Sequence, residues 1–79
     1  MAVKIFLDAN VLVDYALHRE NFEDASAIIS MVVNGRVNGY ISSSVLHITG
    51  YWLSKGIGSE DAKEFLLLLL NDIEVIENS

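Results

Sequence analysis

Short apolar runs and longer segments of helical periodicity alternate along the chain. Residues 3–7 form a nearly continuous apolar run, which is typical of a strand covered on both faces. Residues 40–42 and Ile73–Ile76 are the next runs of strand character. The pattern therefore predicts three short strands, one near each end of the chain and one in the middle.

Apolar residues at helical spacing fill the stretches between these strands. They predict four helices, over residues 11–17, Phe22–Val33, 45–55 and a final segment that begins at Ser59. Asn10 is a suitable N-cap for the first helix and Ser59 for the last. The Asn-Gly pairs at 34–35 and 38–39 could form a hairpin turn, but the flanking runs are too short, so a helix end at 34–35 is favoured.

The order of elements is strand, two helices, strand, two helices, strand. Right-handed crossovers between consecutive strands produce a parallel sheet, so we predict an α/β domain with strand order 3-2-1, flanked by about four helices. Three strands make a small parallel sheet. The chain also contains no proline that could protect a sheet edge. The predicted sheet is therefore unfinished.

Composition narrows the class of protein. The chain has 79 residues, which suits one small domain over residues 1–79. It contains no cysteine and only two histidines, which excludes disulfides and disfavours a structural zinc site. Five Lys and Arg against eleven Asp and Glu give a net charge of −6, which argues against a broad basic surface for nucleic acid. Carboxylates that hold metal ions would still allow a nucleic-acid enzyme.

Targeting and membrane segments are not predicted. Asp8 interrupts the apolar run that follows Lys4, which is unlike a secretory signal. The longest apolar run, residues 65–70, is far shorter than the roughly 20 residues of a membrane span. We therefore predict a cytoplasmic protein with no membrane partner.

Polar side chains follow the first two predicted strands at the points where they end. Asp8 follows the first strand, and Ser42, Ser43 and Ser44 follow the second. Ligands of open parallel sheets bind beyond the carboxyl ends of the strands. Asp8 could ligate Mg²⁺ or Mn²⁺, which take oxygen ligands, or it could cap the first helix jointly with Asn10. Asn10 could also orient Asp8 or a metal-bound water.

Two other polar residues are accessory candidates. Asp14 is the one charged residue of the first predicted helix. It suits either an exposed position beside His18 or a second acidic group in the cleft. His47 lies in the first turn of the third predicted helix, where a surface role is favoured over a site role. No glycine-rich loop follows the first strand, which argues against a nucleotide-binding fold of the Rossmann or P-loop type.

Two segments carry a family resemblance. Residues 3–14 resemble the opening of a PIN domain, which consists of a strand, an Asp-x-Asn motif (here Asp8 to Asn10) and an apolar helix with a further Asp. Residues 39–44 and the elements after them resemble, in order and length, the family's second strand, its third and fourth helices and its third strand. The resemblance covers the whole chain.

The resemblance implies a metal-dependent ribonuclease that hydrolyses RNA with Mg²⁺ or Mn²⁺. Many single-domain bacterial members are toxins of toxin–antitoxin pairs and form dimers, which implies an antitoxin partner and a homodimer. By position in the motif, Asp8 would be the metal ligand and Asn10 would support it. Ser42 or Ser43 would line the same site.

Two departures from the family pattern weaken this site. The family usually has an acidic residue in the helix after the second strand, but residues 45–53 contain neither Asp nor Glu, and His47 and Thr49 are the nearest polar substitutes. The family also usually continues with a fourth strand beside the first and with further acidic residues. We therefore expect a domain that is incomplete at its C-terminus and has little or no turnover. The competing hypothesis is a non-catalytic module that self-associates through the edge of the first strand or the apolar residues 66–70.

Overall fold

The computed structural model describes residues 3–77. Within this range the chain forms three strands and four helices, in the order β1 (Val3–Phe6), α1 (Ala9–Ala16), α2 (Phe22–Val33), β2 (Val37–Ser42), α3 (Ser43–Ile57), α4 (Ser59–Leu69) and β3 (Ile73–Ile76). The α/β class and the alternation of one strand with two helices are confirmed. The prediction that the domain is incomplete at its C-terminus stays a prediction.

The sheet has β2 in its centre, with β1 and β3 paired to it in parallel. This is the predicted order. Phe6 is level with Tyr40, and Tyr40 is level with Glu74. The ladder continues past β1, because the N–H of Leu7 donates to the carbonyl of Tyr40 at 2.8 Å. Backbone pairing therefore reaches the residue that precedes Asp8.

The Asn-Gly pair at 34–35 ends α2, so the hairpin alternative is wrong. Gly35 has a φ of 75°, in the left-handed region that favours glycine. Its N–H donates to the carbonyl of Val32 at 3.1 Å, and the N–H of Arg36 donates to the carbonyl of Met31 at 2.9 Å. These two bonds satisfy the last helical carbonyls in the pattern of a Schellman motif.

The predicted bounds of the first and third helices were wrong, as were the N-cap of the fourth helix, which is Gly58 and not Ser59, and the start of the second strand, which is Val37. The first helix begins at Ala9, with Asp8 rather than Asn10 in the N-cap position. The third helix runs from Ser43 to Ile57 and passes through Gly56, the first of the two glycines, Gly56 and Gly58, that the sequence predicts to end it. A Cβ on Gly56 would lie 2.7 Å from Cδ2 of Leu17, so this glycine lets α1 and α3 approach closely. The helix ends at Gly58, where φ is 91°.

The described helices pack on one face of the sheet. The side chains of Leu7, Ile41 and Ile73 point to this face and are 5%, 0% and 4% exposed. They share a core with Leu12, Ile29, Val32 and Leu69 from α1, α2 and α4. One-sided packing follows from topology, because right-handed crossovers that step in the same direction place their helices on the same side.

The opposite face of the sheet is open in residues 3–77. Phe6 on this face is 73% exposed, and Lys4, Asn38 and Glu74 are exposed beside it. The prediction of a first strand covered on both faces is therefore wrong for the described chain. No helix in the same range is long and apolar enough to cross a membrane.

Candidate functional site at the carboxyl edge of the sheet

Asp8 lies at the carboxyl end of β1 with its side chain exposed to solvent. Its backbone is extended, with φ −89° and ψ 154°, and its carbonyl accepts from the N–H of Val11 at 3.1 Å. Its side chain makes no capping hydrogen bond to α1. The backbone of Asp8 therefore starts the helix, while the carboxylate stays open to a ligand.

Asn10 lies in the first turn of α1 and is exposed. The prediction that it is the N-cap is wrong, because a helix has one N-cap position and Asp8 occupies it. A role in orienting Asp8 or a bound water stays a prediction. This role would not compete with helix capping, because Asn10 is not the N-cap of α1.

Ser42 and Ser43 connect β2 directly to α3. Ser42 is the N-cap of α3, and its Oγ accepts from the N–H of Val45 at 3.1 Å. Ser43 is the first helical residue and is half-buried. Because Phe6 is level with Tyr40, continuing the register by two residues brings Asp8 level with Ser42. The strand ends therefore place the predicted serines next to Asp8.

Asp14 is one turn and a half further along α1 and has a partner of its own. Its Oδ1 lies 3.5 Å from Nε of Arg19, and its side chain is 15% exposed. The sequence interpretation that placed Asp14 beside His18 missed this arginine. His18 adopts a φ of 53° and stacks on Phe22 with ring centroids 3.7 Å apart. An accessory role for Asp14 in the site stays a prediction.

His47 is an exposed residue of α3, as the favoured surface interpretation predicts. It lines an open groove between α3 and α4, together with residues such as Gly50 and Leu66. Its accessory role therefore stays a prediction with less support than that of the serines.

Glu77 is a residue of this edge that the sequence reasoning omitted. Ser42 is level with Ile76, and Glu77 follows directly and is exposed. The rule that selects Asp8, a carboxylate directly after an apolar strand, would also select Glu77. Even so, the described residues contain no group of three or more Asp, Glu, His or Cys side chains arranged to hold a metal ion.

The electrostatics of the edge favour anions as well as cations. The N-termini of α1 and α3 both lie here, at Asp8 and Ser42. A helix N-terminus carries a partial positive charge and unpaired N–H groups, which attract phosphate. A carboxylate beside two such termini suits a site where a cation and a phosphate meet.

The donor chemistry fits a divalent cation in kind. Magnesium and manganese take oxygen ligands, and magnesium often uses one or two carboxylates and keeps waters for the rest. Asp8 supplies an open carboxylate, and the amide of Asn10 supplies a neutral oxygen nearby in sequence. Residues 3–77 contain no larger cluster of metal-ligating side chains. A cation bound here would therefore have few protein ligands.

Comparison with known proteins identifies the family. No curated protein and no solved structure gives a significant match to the chain. A family model described as the PIN domain matches residues 4–78, nearly the whole chain. The chain therefore belongs to the PIN-domain family.

Proposed function

We propose that this protein is a metal-dependent ribonuclease of the toxin type, with weak or no turnover by this chain alone. PIN domains are nuclease-type domains that generally use divalent metal ions. The proposal adds RNA as the substrate, Mg²⁺ or Mn²⁺ as the cofactor, the cytoplasm as the location, and an antitoxin and a second copy as partners. The observation that carries it is the open carboxylate of Asp8 at the carboxyl edge of a parallel sheet.

Three side chains would have different roles in the site. Asp8 would hold the cation, Asn10 would orient a ligand of that cation, and Ser43 would line the site. A bound divalent cation lowers the pKa of water and offsets negative charge on phosphate oxygens. The N-termini of α1 and α3 would orient the phosphate through their N–H groups. Ser42 contributes mainly by starting α3, because its Oγ accepts the capping bond from Val45.

Weak turnover follows from the small number of carboxylates. Phosphoryl chemistry usually needs the charge of both the attacking and the leaving oxygen stabilised, often by two metal ions. Residues 3–77 offer Asp8 and Glu77 at this edge and no larger cluster. The half-buried Asp14 is already paired with Arg19.

Cleavage of a mixed RNA substrate with Mn²⁺ tests this function. Wild type, Asp8→Asn and the matched control Asp24→Asn would be compared after purification by the same procedure. Asp24 is an exposed carboxylate on α2, far along the chain from the sheet edge. We expect at most slow cleavage, which Asp8→Asn abolishes and Asp24→Asn preserves. Cleavage that survives Asp8→Asn would contradict the assignment of the site.

The second candidate is a non-catalytic module that self-associates, and the edge of β1 favours it. The sheet ends at β1 in the described chain, and Val3 on this strand is 64% exposed. An unpaired strand edge invites pairing with another chain. A folded wild type with no cleavage at any metal concentration, together with a stable dimer in solution, would favour this candidate over the nuclease.

A further inference from the structure

The chain contains the tripeptide Val-Asn-Gly twice, at residues 33–35 and 37–39, separated only by Arg36. In an Asn-Gly sequence the backbone nitrogen of glycine easily approaches the side-chain amide of the asparagine, because glycine has no side chain to obstruct it. The proposed nuclease function uses neither asparagine. Since the residues on each side are the same, a difference in reactivity between Asn34 and Asn38 would arise mainly from the fold.

Asn34 lies at the exposed end of α2, where little holds the backbone in place. It is the C-cap residue, with φ −80° and ψ 0°, and both Asn34 and Gly35 are exposed. The N–H of Gly35 donates to the carbonyl of Val32, three residues back, at 3.1 Å. Outside the two adjacent residues, no atom of residues 3–77 lies within 4 Å of the position that a Cβ on Gly35 would take. Rotation of this peptide group therefore requires only that the last turn of α2 opens.

Asn38 has a different environment, because the glycine after it lies in the central strand of the sheet. Gly39 is level with Ile5 on β1 and with Ile73 on β3. It is buried, and a Cβ at this position would lie 3.0 Å from both Cγ atoms of Val32. The peptide group between Asn38 and Gly39 therefore rotates only when the sheet opens, which costs far more free energy than the fraying of a helix end.

We propose that Asn34 is a site of spontaneous deamidation and that the sheet protects Asn38 from the same reaction. The backbone nitrogen of Gly35 loses its proton and attacks the side-chain carbonyl carbon of Asn34. The new C–N bond closes a succinimide ring, and the side-chain amide nitrogen takes up a proton and leaves as ammonia. Water then opens the ring at either carbonyl, which gives aspartate or isoaspartate at position 34 and adds a negative charge. The reaction needs water and no oxidant or reductant.

Either product weakens the end of α2. The added carboxylate lies at the negative end of the helix macrodipole, and the last turn of α2 carries no basic residue. Isoaspartate also routes the backbone through the side-chain methylene, which lengthens the chain at this point. The N–H groups of Gly35 and Arg36, which donate to the carbonyls of Val32 and Met31, are then displaced. Because small domains are only marginally stable, deamidation lowers the folded fraction of the protein as it ages.

Peptide mass spectrometry tests the proposal, because trypsin cleaves after Arg36 and so separates the two asparagines. Asn34 then lies in the peptide 20–36 and Asn38 in the peptide 37–55. The full chain would be incubated at neutral pH and digested at intervals, and an unincubated sample would correct for deamidation during digestion. We expect Asn34 to convert at least about tenfold faster than Asn38, which corresponds to a difference of about 1.4 kcal/mol between the two opening free energies.

Incubation in guanidinium chloride is the matched control, because in the unfolded chain the two sites differ mainly in the residue after glycine. We expect the two rates to agree within about twofold there. Asn34→Gln should abolish the conversion in the peptide 20–36, which distinguishes Asn34 from Asn21 on the same peptide. Equal rates for Asn34 and Asn38 in the native chain would overturn the proposal. Conversion of Asn34 in the unfolded chain but not in the native chain would also overturn it.

The consequence for stability is tested by Asn34→Asp, which introduces the negative charge without lengthening the backbone. It should raise the equilibrium constant of unfolding about two- to fivefold, because the charge opposes the helix macrodipole. Asn34→Gln keeps the position neutral and should change this constant by less than about twofold. Denaturant unfolding measures both variants beside wild type. An Asn34→Asp chain as stable as Asn34→Gln would contradict the claim that deamidation weakens the end of α2.

Discussion

The two faces of the sheet are built from alternate residues of the same strands, yet they differ in almost every property. Ile41 is fully buried against the helices, while its neighbours Tyr40 and Ser42 are only half-buried. At the end of β1, Phe6 is 73% exposed, whereas Leu7, the next residue, is 5% exposed. A shift of one residue along a strand therefore separates a core position from a surface position.

The two faces of the sheet therefore differ in what they contribute to the molecule. The covered face supplies the buried apolar area that stabilises a small domain. The open face contributes little to the stability of the described chain, because its side chains bury little area. The candidate site lies at the carboxyl edge, where the strands end and both faces stop. Its residues are therefore under less packing constraint than those of the core.

The largest expected effect comes from truncating the covered face. Ile41→Ala removes a fully buried side chain and should lower the free energy of unfolding by about 2–5 kcal/mol. Phe6→Ala on the open face should cost under about 1 kcal/mol, because surface substitutions away from special features are usually small. Urea unfolding at one fixed low protein concentration measures both. Equal losses of unfolding free energy would contradict the conclusion that the covered face stabilises the domain much more than the open face does.

A smaller loss is expected where β2 approaches α2. A Cβ on Gly39 would lie 3.0 Å from both Cγ atoms of Val32, which is buried at 5% exposure. Gly39→Ala should therefore overpack this contact and cost about 1–3 kcal/mol. Asn38→Ala, at the adjacent exposed position, is the control and should be close to neutral. A Gly39→Ala variant as stable as wild type would mean that α2 moves away from the sheet at little cost.

The smallest stability effect concerns the start of α3. Ser42→Ala removes the oxygen that accepts from Val45 and should cost about 1 kcal/mol. Ser59→Ala is its control, because Ser59 is exposed and Gly58, not Ser59, occupies the N-cap position of α4. Thermal unfolding of the two variants measures the difference. If Ser59→Ala lost as much as Ser42→Ala, the cap would not be the cause.

Local signals predicted the elements well where start and stop residues were unambiguous. The bounds of α2 and β3 were predicted correctly, since charged or Asn-Gly segments flank clear apolar patterns. Gly56 is locally a stop signal, but it lies inside α3 because Leu17 packs against it. That contact joins residues far apart in sequence, so local patterns do not reveal it.

The site was predictable only where it depends on local sequence patterns. Asp8 was found because it follows an apolar run of strand character, and the carboxyl end of a strand marks a ligand-binding edge in parallel sheets. The pairing of Asp14 with Arg19 was missed because the left-handed conformation of His18 turns the chain after α1. The open face was missed because the apolar run of residues 3–7 was interpreted as burial on both faces, although the predicted right-handed crossovers already place the helices on one side of the sheet.

The most direct test of the central claim is whether Asp8 serves a ligand rather than the fold. Thermal unfolding of wild type, Asp8→Asn and Asp24→Asn would be measured with and without Mn²⁺. A ligand that binds the native state raises the unfolding temperature. We predict that the three proteins unfold at similar temperatures without metal, and that Mn²⁺ raises this temperature for wild type and Asp24→Asn only. An equal Mn²⁺ shift in Asp8→Asn, or a large loss of stability without metal, would contradict the account.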